Sequence, residues 1–140
     1  MKLHQLLACA ALLAGASVAQ AQVAVIVNAK SPAAAMTADQ VASIFLGKTT
    51  TLPSGATAVP ADQAESSAIR DQFYTKVTGK QAAQVKAAWS RLVFSGKGTP
   101  PKELASSAEV KKFVAANPDA IGYIEKSAVD GSVKAVLTVD

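Results

Sequence analysis

The 140-residue chain is half apolar, carries a formal charge of +4 and contains one cysteine and one histidine. Because Cys9 and His4 both precede residue 22, residues 22–140 cannot form a disulfide, a thiolate nucleophile, a Cys/His metal site or a Ser-His triad. Without Lys2 the basic residues number 13 against 10 acidic ones, and this mild excess, with few aromatic residues, argues against a nucleic-acid groove.

The first 21 residues have the layout of a secretory signal peptide. A short, positively charged start precedes an apolar run from Leu6 to Ala16, which is too short to cross a bilayer. Ala19-Gln20-Ala21 has the small-x-small pattern that signal peptidase recognises, so we predict cleavage after Ala21 and a single domain over 22–140. The alternative is a lipoprotein anchored through Cys9, but cutting there leaves almost no apolar region before the cysteine.

The mature chain begins with a predicted strand and a predicted helix. Val23 to Val27 is a nearly continuous β-branched run, which favours a strand covered on both faces. Thr37 and Gln40 have the spacing of a capping box, and Gly47 supplies a stop signal. Between them a short amphipathic helix is predicted, with one apolar face made by Val41, Ile44 and Phe45.

Two more helices are predicted in the middle of the chain. Ala56 to Ala61 is expected to be a short extended segment that leads into a serine pair and a second helix, which ends at Thr78-Gly79. Gln81 to Phe94 predicts a third helix, ended by Ser95-Gly96. The apolar stripes of these two helices contain Ile69, Phe73, Val77, Val85, Trp89, Leu92 and Val93, and Trp89 and Phe94 are expected in the core.

The last third of the chain predicts a loop, a helix and two strands. Lys97 to Pro101 is a Gly/Pro loop, Ser106 and Glu109 have capping spacing, and the helix ends at Asn117-Pro118 with Val110, Phe113 and Val114 inward. The strands are expected over 120–124 and 133–139. Helices between well-separated strands predict an α/β sandwich with a mixed or mainly parallel sheet.

A candidate anion site lies where the second helix begins. The first turn of a helix has backbone N–H groups without intrahelical partners and the positive end of the peptide dipoles, which suits a small oxyanion. Ser66 and Ser67 can donate hydroxyl hydrogen bonds, Arg70 offers bidentate donors suited to phosphate, and Gln63 lies just upstream. The simpler alternative is that one serine only caps the helix.

Two acidic residues in the same segment have three possible effects on anion binding. Asp62 and Glu65 could hold Arg70 in place, accept a proton from a partly protonated phosphate, or repel the anion. Lys97, between Gly96 and Gly98, has the wrong spacing for a phosphate-binding P-loop and favours a helix end followed by a loop. No carboxylate pair suited to acid/base catalysis is apparent, and neither a cofactor nor a metal site is expected.

Three segments together resemble the phosphate-binding (PstS-type) solute-binding proteins of bacterial ABC importers. They are Ile44-Phe45-Leu46-Gly47-Lys48 after a capped helix, the serine-pair stretch from Asp62 to Phe73, and Asn117-Pro118-Asp119-Ala120-Ile121-Gly122-Tyr123. They occur in the order expected for that family. The resemblance covers most of residues 22–140 and implies a single-lobe, type II periplasmic-binding-protein-like α/β sandwich whose mixed sheet is flanked by helices.

The resemblance also implies where phosphate would bind. In that family a Ser-Gly-Thr turn at a helix start binds phosphate through hydroxyls and backbone N–H groups, and Ser66-Ser67-Ala68 falls at the corresponding place. Ser67 replaces the glycine, Ala68 replaces the threonine, and Asp62 lies near the position of an expected arginine. Such proteins resemble two-lobed clamps, so one lobe alone is expected to hold phosphate weakly.

These features lead to one main hypothesis and two alternatives. The first is a secreted, non-enzymatic periplasmic protein that captures inorganic phosphate or a similar oxyanion, with an ABC permease or an envelope sensor as partner. The second is an adaptor that keeps the lobe fold without ligand binding. A secreted hydrolase ranks last, because no Ser-x-x-Lys spacing stands out near the serine pair. No nucleic-acid partner and no membrane span of the mature chain are expected.

Overall fold

The computed structural model describes residues 22–140, so the predicted signal peptide, its cleavage site and Cys9 lie outside the described residues. Within this range a five-stranded mixed sheet separates helices packed on its two faces. The strands are β1 (Val23–Asn28), β2 (Val59–Gln63), β3 (Lys102–Leu104), β4 (Ala120–Glu125) and β5 (Val133–Val139). The helices are α1 (Ala38–Phe45), α2 (Ala68–Phe73), α3 (Ala82–Phe94) and α4 (Ser107–Ala116).

The sheet has the strand order β3-β2-β4-β1-β5. β2 pairs in parallel with β3 and β4, whereas β1 pairs antiparallel with β4 and β5. All six residues of β1 are buried because its alternate side chains enter two different cores. Val23, Val25 and Val27 pack in the core with α1, α2 and α3, while Ala24 and Ile26 pack in the core with α4. The predicted α/β sandwich, and a first strand covered on both faces, are confirmed.

The predicted helix ends are also present. The Thr37 hydroxyl accepts a hydrogen bond from the N–H of Gln40, and the Gln40 amide oxygen accepts one from the N–H of Thr37, which completes the capping box. Ser106 caps α4 by accepting from the N–H of Glu109. Beyond α2 the chain continues as a π-helical turn over Tyr74–Thr78 and stops at Gly79, whose φ of 72° favours glycine.

β3 and the position of Phe94 differ from the sequence prediction. β3 was not predicted, since its three residues carry no β-branched run and follow a pair of prolines. The expectation that Phe94 lies in the core is wrong, because its side chain is 96% exposed. Along the predicted stripe of α3 only Val85 is buried and Trp89 packs against the core as a partly buried side chain, so the last turn of the helix is largely exposed.

Candidate functional site

The end of β2 sends two consecutive polar side chains to opposite faces of the sheet. Successive residues of a strand alternate between its faces, so Asp62 points toward the core of α2 and α3 while Gln63 points toward α4. Both residues are buried, with 8% exposure for Asp62 and 1% for Gln63. Buried polar groups of this kind require hydrogen-bond partners, and each of the two has its own set.

Three donors converge on the carboxylate of Asp62. The Tyr74 hydroxyl donates to Oδ2 at 2.5 Å, the Tyr123 hydroxyl donates to Oδ1, and the backbone N–H of Gln63 donates to Oδ1 at 2.8 Å. Burial, followed by the negative charge of Asp62, raises the pKa of both tyrosine hydroxyls far above their ordinary value near 10. Both tyrosines therefore remain protonated donors at any physiological pH.

Arg70 lies beside this carboxylate, but its Nε does not donate a hydrogen bond to it. Its Nε lies 3.5 Å from Oδ1 of Asp62, within ion-pair range, but makes no hydrogen bond of good geometry with any described residue. The guanidinium carbon lies 5.3 Å from the centroid of the Tyr74 ring, which is a cation–π arrangement. Of the roles left open for Asp62, the geometry supports the one in which it positions Arg70.

Gln63 and Ser67 belong to the second hydrogen-bonded set. The Gln63 amide nitrogen donates to the Ser107 hydroxyl at 3.0 Å and to the Tyr123 carbonyl at 2.9 Å, and its amide oxygen accepts from the Ser67 hydroxyl at 2.8 Å. Ser67 occupies the N-cap position of α2 but makes no side-chain capping bond. Ser66 is exposed in the turn before it, and its hydroxyl makes no hydrogen bond within residues 22–140.

A groove of about 590 Å³ opens beside Arg70, and we call it the Arg70 groove. Its charged residues are nearly balanced, and the hydrogen bond from Lys86 lowers the pKa of Glu65 below its ordinary range. Of the four residues predicted to bind the ligand, only Arg70 lines this groove. Its other lining residues are Asp62, Glu65, Tyr74, Val85, Lys86, Trp89, Ser90, Val93, Phe94, Pro100, Pro101 and Glu103.

Three solved structures have a fold similar to that of this chain. One is described as a phosphate ABC transporter substrate-binding protein with bound phosphate from Clostridium perfringens, with 29% identity and a TM-score of 0.68. The others are an ABC-type phosphate transport receptor from Vibrio cholerae (22%, 0.65) and PstS from Borrelia burgdorferi (15%, 0.61). Our chain is similar to these receptors in fold. Each match covers 83% of the chain.

The chain spans less than half the length of these proteins, with 45%, 46% and 47% of the three chains covered. No protein-family model matches it, and no curated protein matches it. No helix within residues 22–140 has the length and apolarity to cross a membrane. The likeness therefore concerns about half of each of these proteins.

Neither tyrosine was predicted as a site residue, although both donate to the carboxylate of Asp62. Tyr123 is 61 residues from Asp62 and Tyr74 is 12 residues away, so no local spacing links them. The one available signal was the position of Tyr123 at the end of the Asn-Pro-Asp-Ala-Ile-Gly-Tyr segment, where an alternating strand pattern could place its ring on the face opposite Gly122.

Proposed function

We propose that the protein is a periplasmic, non-enzymatic binding protein that captures phosphate or a similar small oxyanion at the start of α2. Two features support the proposal. The fold is similar to that of the Clostridium perfringens receptor solved with bound phosphate. In addition, the segment that resembles the phosphate-binding turn of that family precedes a positioned arginine. In this role the protein would serve an ABC permease or an envelope sensor.

The availability of Arg70 is the observation that carries the proposal. Asp62 already accepts from two tyrosine hydroxyls and one backbone N–H, so the guanidinium of Arg70 keeps donors for an anion while its position is fixed. Charge-assisted bonds from a guanidinium to an oxyanion are among the stronger hydrogen bonds in proteins. The side chain of Arg70 is 11% exposed, so part of it reaches the groove.

Ser66, Ser67 and Gln63 have different roles in this proposal. Ser66 is exposed and its hydroxyl is available to donate to the anion. The Ser67 hydroxyl donates to the amide oxygen of Gln63, so Gln63 positions the turn. Ser67 would bind the anion by exchanging this hydroxyl partner for the ligand. Gln63, Ser66, Ser67 and Arg70 are the proposed ligand-binding set, with Gln63 as its positioning member. Only Arg70 of these four lines the groove, so the serines would contact the anion from outside the groove lining.

We expect the binding to be weak. The Arg70 groove is open and three of its lining residues are acidic against two basic ones, which are Arg70 and Lys86. An oxyanion there stays hydrated on one side, and its charge-assisted bonds lose the benefit of a low dielectric. A dissociation constant near 1 mM, equivalent to about 4 kcal/mol of binding free energy, is the expected scale.

Calorimetric titration with phosphate and with sulfate at low ionic strength tests the proposal. The Arg70→Gln variant should lose the heat of binding, whereas Arg91→Gln, which removes an exposed arginine from α3, should retain it. An absence of heat with both anions at millimolar concentration would remove phosphate capture as a function of the single chain. Equal losses in both arginine variants would instead indicate a general charge effect.

An adaptor role is the second candidate, favoured by the exposed end of α3. Phe94 is 96% exposed and Val93 is 49% exposed, and both line the Arg70 groove. Contiguous exposed apolar surface is one feature of protein contact sites. A photoreactive phenylalanine analogue placed at position 94 should crosslink in the periplasm to one envelope protein, and the same analogue at exposed Thr75 should not. Equal crosslinking from both positions would argue against this role.

A further inference from the structure

A second pocket, of about 610 Å³, lies next to the Arg70 groove and shares only Trp89 and Pro100 with it. We call it the threonine pocket, because residues of the turn after α1 and of the loop before β3 give it four threonines. Its lining residues are Ile44, Gly47, Thr49, Thr50, Thr57, Ala58, Val59, Pro60, Trp89, Lys97, Gly98, Thr99, Pro100 and Lys102. The volume falls in the range of sites that hold small organic molecules.

Trp89 forms a fixed wall between the glycines of two loops. A Cβ atom added to Gly47 would lie 3.0 Å from the indole, and one added to Gly98 would lie 3.1 Å from it, so both backbones pack directly on the ring. The indole N–H donates to the carbonyl of Phe45 at 2.8 Å. Because its polar group is bonded internally, the ring presents carbon atoms to the pocket.

The polar groups of the pocket favour an anion. None of its lining residues is acidic, which distinguishes it from the Arg70 groove with its three carboxylates. Lys97 makes no ion pair with any described residue, and the hydroxyls of Thr50, Thr57 and Thr99 make no hydrogen bond with one. The ammonium of Lys102 lies 5.3 Å from the centroid of the Phe113 ring, which leaves Lys97 as the cation for this pocket.

We propose that the threonine pocket binds an amphiphilic organic anion, meaning a carboxylate, sulfonate or phosphate ester attached to an apolar body. Lys97 and the threonine hydroxyls hold the anionic group, and the body packs against Trp89, Ile44 and Val59. A bare tetrahedral oxyanion would leave this apolar wall in contact with water, so it is a poor occupant. This site is separate from the proposed phosphate site and does not depend on it.

The chain contains one tryptophan, so tryptophan fluorescence reports directly on Trp89. The probe is 8-anilinonaphthalene-1-sulfonate, which joins an aromatic body to an anionic group and accepts energy from excited tryptophan. N-phenyl-1-naphthylamine has a similar body without the sulfonate. We expect saturable energy transfer from Trp89 to the sulfonate probe, and weaker transfer to its uncharged counterpart.

Variants assign the probe to one of the two sites. Lys97→Gln should weaken binding of the sulfonate probe by about fivefold, the loss of one charge-assisted contact, and leave the uncharged probe unchanged. Lys86→Gln in the Arg70 groove, and Arg70→Gln, should leave both probes unchanged, whatever these variants do to phosphate binding.

Other outcomes would overturn the assignment. If Lys97→Gln has no effect on the sulfonate probe, or weakens both probes equally, the pocket does not recognise the anionic group. If Lys86→Gln is the variant that weakens binding, the probe occupies the Arg70 groove instead. Lys97 and Lys86 are both exposed, so loss of the fold is not expected in either variant.

Discussion

Tyr123 donates its hydroxyl to the carboxylate of Asp62, and this bond joins β4 to the end of β2. The Tyr123 ring is stacked on Phe73, with centroids 4.0 Å apart and planes 4° from parallel. Tyr74 brings a second hydroxyl to the same carboxylate from the turn that follows α2. One buried acidic group thus connects the sheet, the α2 segment and Arg70.

The two tyrosines should resist ionisation until the protein unfolds. Their pKa values are raised in the folded state, so their contribution to stability is fully present below the unfolded pKa near 10 and is lost as the pH rises above it. Tyr74 and Tyr123 are the only tyrosines of the chain, so tyrosinate absorbance reports on this pair. We expect it to appear together with the loss of circular dichroism, whereas the chain in guanidinium should titrate near pH 10. Tyrosinate formation in a protein that keeps its native spectrum would contradict this.

Removal of the shared acceptor should be costly. Asp62→Ala leaves two buried hydroxyls without their acceptor and the Arg70 guanidinium without its ion-pair partner, and we expect a loss of about 3 kcal/mol or more in the free energy of unfolding. Asp71→Ala is the matched control, because Asp71 is an exposed acidic residue in α2 and should change stability by about 0.5 kcal/mol. Urea unfolding of both variants measures the difference, and similar losses would mean that the Asp62 contacts contribute little.

The elements predicted correctly are those whose signals are local. The continuous apolar run of β1 and the capping box at Thr37 each lie within a few residues, so the sequence pattern was sufficient. The position of Asp62 was not predictable in this way. The extended segment was expected to end at Ala61, whereas β2 continues to Gln63. Because Asp62 and Gln63 belong to the strand, their side chains lie on opposite faces of the sheet.

Phe94 illustrates the other limit of a sequence pattern. Helical periodicity predicts which face of α3 is apolar, but it does not predict which turns of that face have a packing partner. The contacts of Ser67 are non-local in the same sense. Its spacing predicted a cap or a ligand contact, whereas the structure gives it the buried amide of Gln63.

A side chain at Gly122 should destabilise the protein unless the facing side chain of α4, Val110, is shortened. A Cβ atom at this position would lie 2.5 Å from Cγ1 of Val110, so Gly122→Ala is expected to destabilise the protein by about 1–3 kcal/mol through overpacking. Val110→Ala removes the clashing atom. Gly122→Ala should therefore cost less unfolding free energy in the Val110→Ala background than it does in the native protein. Gly131→Ala is the control, since a Cβ there meets nothing within 4 Å. Additive losses in the double variant would rule out direct overpacking between the two residues.

Ser66→Ala and Ser67→Ala should separate ligand binding from stability. Ser67→Ala leaves the buried amide oxygen of Gln63 without its donor, so we expect a loss of about 1 kcal/mol in unfolding free energy whether or not phosphate binds. Ser66 is exposed and unbonded among the described residues, so Ser66→Ala should change stability by less than about 0.5 kcal/mol.

Calorimetry with phosphate then tests the role of Ser66, because Ser66→Ala is expected to leave the stability of the protein nearly unchanged. We expect Ser66→Ala to weaken binding by about 1 kcal/mol, the value of one hydrogen bond. Serine to alanine at Ser54, an exposed position in the turn after α1, provides the control for a general surface effect. Unchanged phosphate binding in Ser66→Ala would place the anion away from the serine pair, because the exposed hydroxyl is the member of that pair with no internal acceptor.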